Sequence, residues 1–463
     1  MTKQEAVIKY IEDNYLQFNR LRHNVVSDKL QIRLSGEEAM RLLGERQEYW
    51  REMTKHDINS IVCHCAQECD VNITSREVMT ALQSDLIPDV HPLREYILSL
   101  PPFTPDQPDW IDWVAQQVHV RSGAPDRPSG CRSAAPVDNA MLFSTASTTS
   151  DLQQCDPQCS ASETIYSEQR ERSEANAFWR ACFKKWFVAM VASWMRDDIV
   201  NHQVLVLIGK QGIYKTTWLE HLIPPHLRAY ACKLANSSDL NKDERLRIAE
   251  FGLISLDEID SMNNRELNQL KSIITATDVN ERAAYAYTKE RRVRLASFCA
   301  SGNRRDFLTD ITGNRRWLPF EVESIQNPFT TLLPYERMYA QAWALAQDPF
   351  FSYWFDLDEI EVLEQHNQHF RDESNEEQLL DVYFAVPADG ASNTKFLTTA
   401  EISERLIYYG NIKRPLSLSR LGVLLSQKGF LSVRKGNPQR RGWIVYERDN
   451  EEINAERRIL SKT

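Results

Sequence analysis

The segment Gly209-Lys-Gln-Gly-Ile-Tyr-Lys-Thr-Thr217 carries residue types that could hold a chain of phosphates. Glycines at Gly209 and Gly212 let the backbone come close. Successive amides and the amino end of a following helix stabilise negative charge, Lys215 can reach the β- and γ-phosphates, and the Thr216 hydroxyl can ligate magnesium. Gln211, Ile213, Tyr214 and Thr217 complete the nucleotide-binding set, although Tyr214 stands where a glycine normally precedes the lysine. The other reading is a strand, turn and helix with an incidental lysine. Further on, Leu256-Asp257-Glu258 ends an apolar run as a Walker B pair does. Asp257 would hold magnesium through water, and Glu258 would orient and deprotonate an attacking water; taken alone, the pair also fits a solvated strand end. Ala300-Ser-Gly-Asn303 closes a third run and sets the Asn303 amide where a γ-phosphate would lie. In Thr309-Asp-Ile-Thr-Gly-Asn-Arg-Arg-Trp317, Arg315 and Arg316 could complete a neighbouring subunit's site as arginine fingers, or form surface salt bridges. Which of the two is the finger stays open.

Such residues need strands that end where they begin. Val204–Ile208, Phe251–Leu256 and Arg294–Ala300 are continuous apolar runs, as buried parallel strands are. Helical spacing at 216–222, 242–250 and 265–276 alternates with them, and an apolar helix from Asn176 carries Phe178, Trp179, Phe183, Trp186 and Phe187. Alternating strands and helices predict an α/β fold with a parallel sheet. Ahead of it, residues 1–120 read as a mixed α+β domain: a helix over Thr2–Tyr15, a hairpin over Asn24–Arg33, helices over His56–Glu68 and Thr74–Ser84 with Ser75 as cap, and a short helix from Pro92. Residues 121–175, rich in Ser, Ala, Pro, Asp and Gln, predict a flexible linker or insertion before a nucleotide-binding domain over 176–369. In 370–463 the order is helix (Thr398–Leu406), helix (Leu416–Lys428), strand (Phe430–Val433), basic loop (Arg434–Arg441) and strand (Gly442–Tyr446), the order of a winged helix. Lys435, Arg440 and Arg441 would then meet DNA; a packing or protein-docking module reads equally well.

Composition sets bounds. The 463 residues carry 55 Lys and Arg against 65 Asp and Glu, a formal charge of −10, which excludes a protein that coats nucleic acid by bulk charge but not local basic sites. With 42% hydrophobic and 26% charged residues, wholesale disorder and disulfide miniproteins are excluded. No run approaches the roughly 18–20 apolar residues of a membrane helix. Without an apolar signal segment at Met1–Ala6, the nine cysteines are expected as thiols in a reducing cytoplasm. Cys63, Cys65 and Cys69 fall on a helical pattern, and Cys155 and Cys159 in the linker; neither group has zinc-knuckle spacing.

The series Gln211-Gly212…Lys215-Thr216, Leu256-Asp-Glu258, Ser301-Gly-Asn303 and Asp310…Gly313-Asn-Arg-Arg-Trp-Leu-Pro319 resembles the virulence-associated protein E (VapE-like) family of P-loop ATPases, related to superfamily 3 and primase-associated helicases of mobile elements and phages. The resemblance covers about Phe178 to Val322, with a weaker stretch around His91-Pro-Leu-Arg-Glu-Tyr96. It implies an AAA+-like core that uses ATP and Mg2+ and works as a hexameric homo-oligomeric ring on single-stranded DNA. Residues 1–120 show no evident carboxylate set for a primase centre, so any primase is expected to be a separate protein. The resemblance also implies a role for residues 280–294, which alternate enough for a β-hairpin turning near Lys289. In superfamily 3 helicases a hairpin at this place enters the pore. Lys289, Arg291 and Arg292 would contact phosphates there, and Tyr285 or Tyr287 would stack on bases; a solvated charged hairpin is the other reading. The activity expected is an ATP-dependent DNA helicase or translocase serving a mobile element. The alternative is a nucleotide-switched initiator, loader or defence ATPase with slow or no turnover, which Tyr214 favours and Glu258 disfavours. A small-molecule P-loop kinase is a weaker third.

Overall fold

The computed structural model describes residues 2–34, 49–121, 160–234, 247–281, 290–308, 314–371, 375–387, 394–410, 417–435 and 439–460. Helix α1 (Lys3–Ile11) starts at a capping box between Thr2 and Glu5, and passes into a π-helical turn over Glu12–Leu16. Strands β1 (Leu21–Asn24) and β2 (Lys29–Leu34) form the expected hairpin, β3 (Tyr49–Glu52) adds to β2, and β4 (Asp89–Val90) runs parallel to β1. Helices α2 (Lys55–Cys69) and α3 (Ser75–Leu82) pack beside this sheet. The cap of α3 is Thr74 rather than Ser75, because Glu77 lies three residues beyond Thr74 and closes a second capping box.

The chain then builds the main sheet. Helix α4 (Pro92–Ser99), α5 (Trp110–Ala115) and strand β5 (Val118–Val120) precede α6 (Ser160–Met195). The segment read as linker is therefore helical from Ser160, while residues 122–159 lie outside the described ones. Once anchored by its apolar half, a helix extends through polar residues at little cost per residue. Next come β6 (Val204–Ile208), α7 (Lys215–His221), β7 (Ala231–Leu234), β8 (Leu253–Leu256), α8 (Asn264–Thr275), the hairpin β9 (Asp278–Glu281) and β10 (Glu290–Val293), β11 (Ser297–Gly302), β12 (Trp317–Ile325), α9 (Tyr335–Gln347) and α10 (Leu357–Asn367). Of the helix expected over 242–250, residues 247–250 are helical and the rest are not described.

The six-stranded order is β5-β12-β6-β11-β8-β7, in which β12, β6, β11, β8 and β7 are mutually parallel and β5 is antiparallel. The chain is thus a mixed α/β protein with a parallel sheet. Residues of β6, β8 and β11 are buried throughout, as expected for strands covered on both faces. Helix α6 covers one face with Trp179, Phe183, Trp186, Phe187 and Trp194. Its indoles are pinned: Trp179 Nε1 donates to the Ala115 carbonyl (2.9 Å), Trp186 to Phe298 (3.2 Å) and Trp194 to Gly252 (3.1 Å). Because β5 and α5 share this core, the last part of residues 1–120 folds with the sheet rather than apart from it.

Two compact units result, one of residues 1–304 and 315–365, the other of 305–314 and 366–463. The second contains α11 (Asn375–Tyr383), β13 (Phe384–Ala385), β14 (Thr394–Leu397), α12 (Thr399–Gly410), α13 (Leu418–Gln427), β15 (Leu431–Lys435), β16 (Arg440–Glu447) and α14 (Asn450–Leu460). Strand β16 pairs with β13, β14 and β15, all antiparallel, over a core of Leu406, Leu421, Leu424, Leu425, Trp443 and Val445. Among the described residues no helix is long and apolar enough to cross a membrane.

Candidate nucleotide site

From β6 the chain runs to β7 at the far edge, returns through β8 and β11, and crosses to β12 on the other side of β6. The carboxyl end of β6 is therefore a topological switch point, the place where open α/β sheets bind ligands. The loop Gly209–Tyr214 leaves the strand there. A Cβ on Gly209 would stand 2.6 Å from the Val322 carbonyl oxygen, so only glycine fits. Gly212 has φ 86°, in the left-handed region. Tyr214 does too, at φ 67° and ψ 17°, which costs a side chain roughly 1–2 kcal/mol.

Lys215 is 7% exposed, and its Nζ donates to the carbonyls of Gly209 and Lys210 (both 2.7 Å) and to Asn303 Oδ1 at 3.4 Å. Burial pulls its pKa below the usual lysine range, against the pull of Asp260 and Asp257. Thr216 Oγ1 lies 3.2 Å from Asp257 Oδ1 and 2.9 Å from Ser301 Oγ, and Ser301 donates to the same Asp257 oxygen at 2.8 Å. The other Asp257 oxygen takes Lys233 Nζ at 2.8 Å. Burial pushes the Asp257 carboxyl up, but the hydrogen bonds from Lys233, Ser301 and Thr216 outweigh it and hold the group below the ordinary range. The structure thus brings Lys215, Thr216, Asp257 and Asn303 together from three loops.

Glu258 is exposed at the same end of the sheet, with φ 52° and ψ 49°. It follows Asp257 and opens a 3-10 turn over Ile259–Ser261. Three residues were not assigned roles from the sequence: Ser301, Lys233 and Asp260. Asp260 accepts the backbone amides of Asn303 and Arg304 (both 3.2 Å), which fixes the turn that presents Asn303. Its signal was the second aspartate of Asp257-Glu-Ile-Asp260. Lys233 sits on the short strand β7, which carries no motif.

Arg315 and Arg316 are not part of this constellation. They sit in a 3-10 turn at the amino end of β12, where Trp317 is in register with Val204, the first residue of β6. The length of the sheet separates them from the loop at Ile208. A role in the site of the same chain is thereby excluded by geometry, while a role toward another copy is compatible with it.

The hairpin stem is present as β9 and β10, with Arg291 opposite Asn280 and Arg292 opposite Val279. Its turn, with Tyr285, Tyr287 and Lys289, lies outside the described residues. The Arg292 guanidinium pairs with Asp28 and, at 3.6 Å, with Glu250 at the base of the stem. In the second unit, Arg434 stands opposite Arg441 and Lys435 opposite Arg440, all four exposed.

Residues 160–378 match the family model of the virulence-associated protein E-like domain. Among solved structures the chain is similar to an apo structure of the NrS-1 C-terminal region, at 10% identity and a TM-score of 0.39, covering 96% of this chain and 100% of that one. An A-form apo structure of the same region has 8% identity and a TM-score of 0.42, again over 96% and 100%. No curated protein matches the chain.

Proposed function

We propose, from the premise that residues 160–378 are a virulence-associated protein E-like domain, that the chain is a P-loop ATPase driving a helicase or translocase on single-stranded DNA in mobile-element or phage-like replication. The observation that carries this is the convergence of Lys215, Thr216, Asp257, Ser301 and Asn303 at the switch point of a parallel sheet. The donor set fits a hard cation: a hydroxyl and a carboxylate share one location, with a second hydroxyl behind them. Bound there, Mg2+ would supply charge neutralisation for the phosphates. Gly209, Gln211, Gly212, Ile213 and Thr217 would surround the phosphates with backbone amides, and Lys215 would exchange the loop carbonyls for the β- and γ-oxygens. Asn303, set by Asp260, would orient the water. Glu258 would take its proton as the water oxygen attacks the γ-phosphorus and the bridging bond to the β-phosphate breaks.

Arg315 or Arg316 would serve the site of a second copy, which makes turnover depend on assembly into a ring such as a hexamer. Any primase would be a separate protein. The second unit fits a winged helix whose wing carries Arg434, Lys435, Arg440 and Arg441. Like charges directly opposite one another destabilise a strand pair, and a phosphate backbone relieves that. The variant Arg440→Gln with Arg441→Gln is expected to weaken DNA binding and lower its salt slope by about 1 per lost phosphate contact, while leaving thermal stability equal or slightly higher. An unchanged salt dependence in a binding titration would remove the wing from the DNA interface.

The second reading, a nucleotide-switched DNA-binding initiator, loader or defence ATPase, is favoured by the left-handed Tyr214, while Glu258 favours turnover. Steady-state ATP hydrolysis by wild type and Glu258→Gln, with and without single-stranded DNA and across concentrations spanning assembly, separates the two. The motor predicts turnover stimulated by DNA, and a fall of roughly 10²–10⁴-fold in Glu258→Gln with ATP binding retained. ATP binding without turnover above the Glu258→Gln background, at any concentration or DNA, selects the switch.

A further inference from the structure

The residue that departs from the phosphate-loop pattern is held in a backbone conformation that disfavours its side chain, and burial does not explain why it is there. The Tyr214 ring is 40% exposed. It stands edge-on to Phe329, with ring centroids 6.4 Å apart and planes at 81°. Phe329, on the loop after β12, is 66% exposed and meets a second ring, His221, at 5.4 Å and 87°. The three rings come from the loop itself, from the last residue of α7, and from the segment that follows the strand beside β6.

Their supports are fixed. The Phe329 amide donates to Asn327 Oδ1 at 3.0 Å, and the Asn327 carbonyl accepts the amides of Thr330 and Thr331 at 3.2 and 3.1 Å. His221 Nδ1–H donates to the Thr217 carbonyl at 2.7 Å, which sets that tautomer, and the His221 carbonyl accepts from the Tyr335 hydroxyl at 2.7 Å. A solvent-facing phenylalanine on a hydrogen-bonded turn, backed by two edge-on rings, sits next to the loop that would hold the phosphates. Scattered exposed apolar residues need no explanation, but a phenylalanine in edge-on contact with two further rings beside one loop makes a surface.

We propose that Phe329, flanked by Tyr214 and His221, is the stacking platform for the base of the bound nucleotide. The inference rests on the phosphate-loop reading and deepens it: the tyrosine that replaces glycine at the phosphate end buttresses the ring that receives the base. The ligand class is a nucleoside triphosphate read through the π-face of its base. Stacking of this kind tolerates different bases, because every base has such a face, so discrimination between adenine and guanine is expected to be weak.

Calorimetric titration of the full chain with ATP and with inorganic tripolyphosphate, each with Mg2+, tests it. Phe329→Ala is expected to lose roughly 5- to 100-fold in ATP affinity, the range that base–aromatic stacking supplies, with tripolyphosphate binding unchanged. Phe329→Trp should keep ATP affinity, and its added indole fluorescence should change with ATP but not with tripolyphosphate. Lys215→Ala should lose both ligands. Unchanged ATP affinity in Phe329→Ala, with both ligands still lost in Lys215→Ala, overturns the platform and leaves the phosphate loop standing. Equal loss of both ligands in Phe329→Ala also overturns it, since the ring would then only shape the loop. An altered self-association with unchanged ATP affinity assigns the surface to contact between copies instead. A wild-type chain that binds neither ligand removes the phosphate loop and the platform together.

Discussion

Lys215→Ala is expected to abolish productive nucleotide binding, with a loss of roughly 3 kcal/mol or more, over a hundredfold in affinity. The expectation comes from where the ammonium sits. It is 7% exposed and satisfied by the carbonyls of Gly209 and Lys210, the two residues that begin the loop. Those are neutral acceptors, and burial already draws the lysine below its ordinary pKa. A triphosphate offers the same ammonium charged acceptors, and charge-assisted bonds are about twice as strong as neutral ones. Alanine removes that gain and also leaves the two loop carbonyls without this donor. Lys215→Arg should not rescue, because a planar fork does not fit a point-charge position between two adjacent carbonyls. Calorimetry on the purified variants decides the matter: ATP affinity within about twofold of wild type in Lys215→Ala would remove the site from this loop.

The parts of this site that could be read from sequence are those whose chemistry and secondary structure coincide. Strands β6, β8 and β11 are buried on both faces, so they appear as unbroken apolar runs, and Gly209, Asp257 and Asn303 mark where they stop. What was missed lies where that coincidence fails. Strand β7 is four residues, Ala231–Leu234, with a lysine at its third position, so neither it nor the partnership of Lys233 with Asp257 was visible. Strand β12 contains Pro319, which argues against a central strand; the ladder with β5 starts only at Val322, so the proline lies where β12 is still an edge. Strand β5 is three residues, too short for alternation, and its antiparallel pairing with β12 is what draws the end of residues 1–120 into the main sheet. The roles of Asp260 and Ser301 are relations across loops, which no local pattern in the sequence carries. Charge runs are ambiguous in a different way. Spacing along β10 does not tell which cations end in water, and of Arg291, Arg292 and Arg294 the second is paired with carboxylates and the third is inside.

Arg294→Met is expected to destabilise the first unit by roughly 3–5 kcal/mol, because several buried carbonyls lose their donor and each unsatisfied group costs about 1–3 kcal/mol. Arg294 is 1% exposed. Its guanidinium donates to five carbonyls: Ala296 (3.0 Å), Asn201 (2.8 Å), Ile273 (3.4 Å), Ala276 (3.3 Å) and Ile274. Three of these belong to the last turn of α8 and the residue after it, where the helix dipole is negative; of them the Ile273 carbonyl also accepts the Ala276 amide at 3.1 Å. The arginine is thus a buried cap, whose countercharge is a helix end. It also ties α8 to the entry of β6 through Asn201 and stacks over Phe298 of β11, 5.1 Å from the ring centroid. Burial pushes the guanidinium down to about 9, still charged near neutrality. The sign follows: a base whose folded pKa is lowered costs stability at every pH below that value and regains it only as pH rises through it. The difference between wild type and Arg294→Met should therefore be flat from pH 6 to pH 8, about neutral conditions. Methionine fills the volume but satisfies none of the carbonyls, whereas Arg294→Lys keeps the charge and part of the bonding, so it should fall between the two. Thermal unfolding of the full chain is the measurement, with a fall in Tm of about 5–10 °C expected for methionine. The stem of the hairpin, β10, ends at Val293, so the same cap fixes where the stem enters the sheet. If Arg294→Met melts with wild type, the five carbonyls find water or other donors, and the link from α8 to the stem is not what holds it.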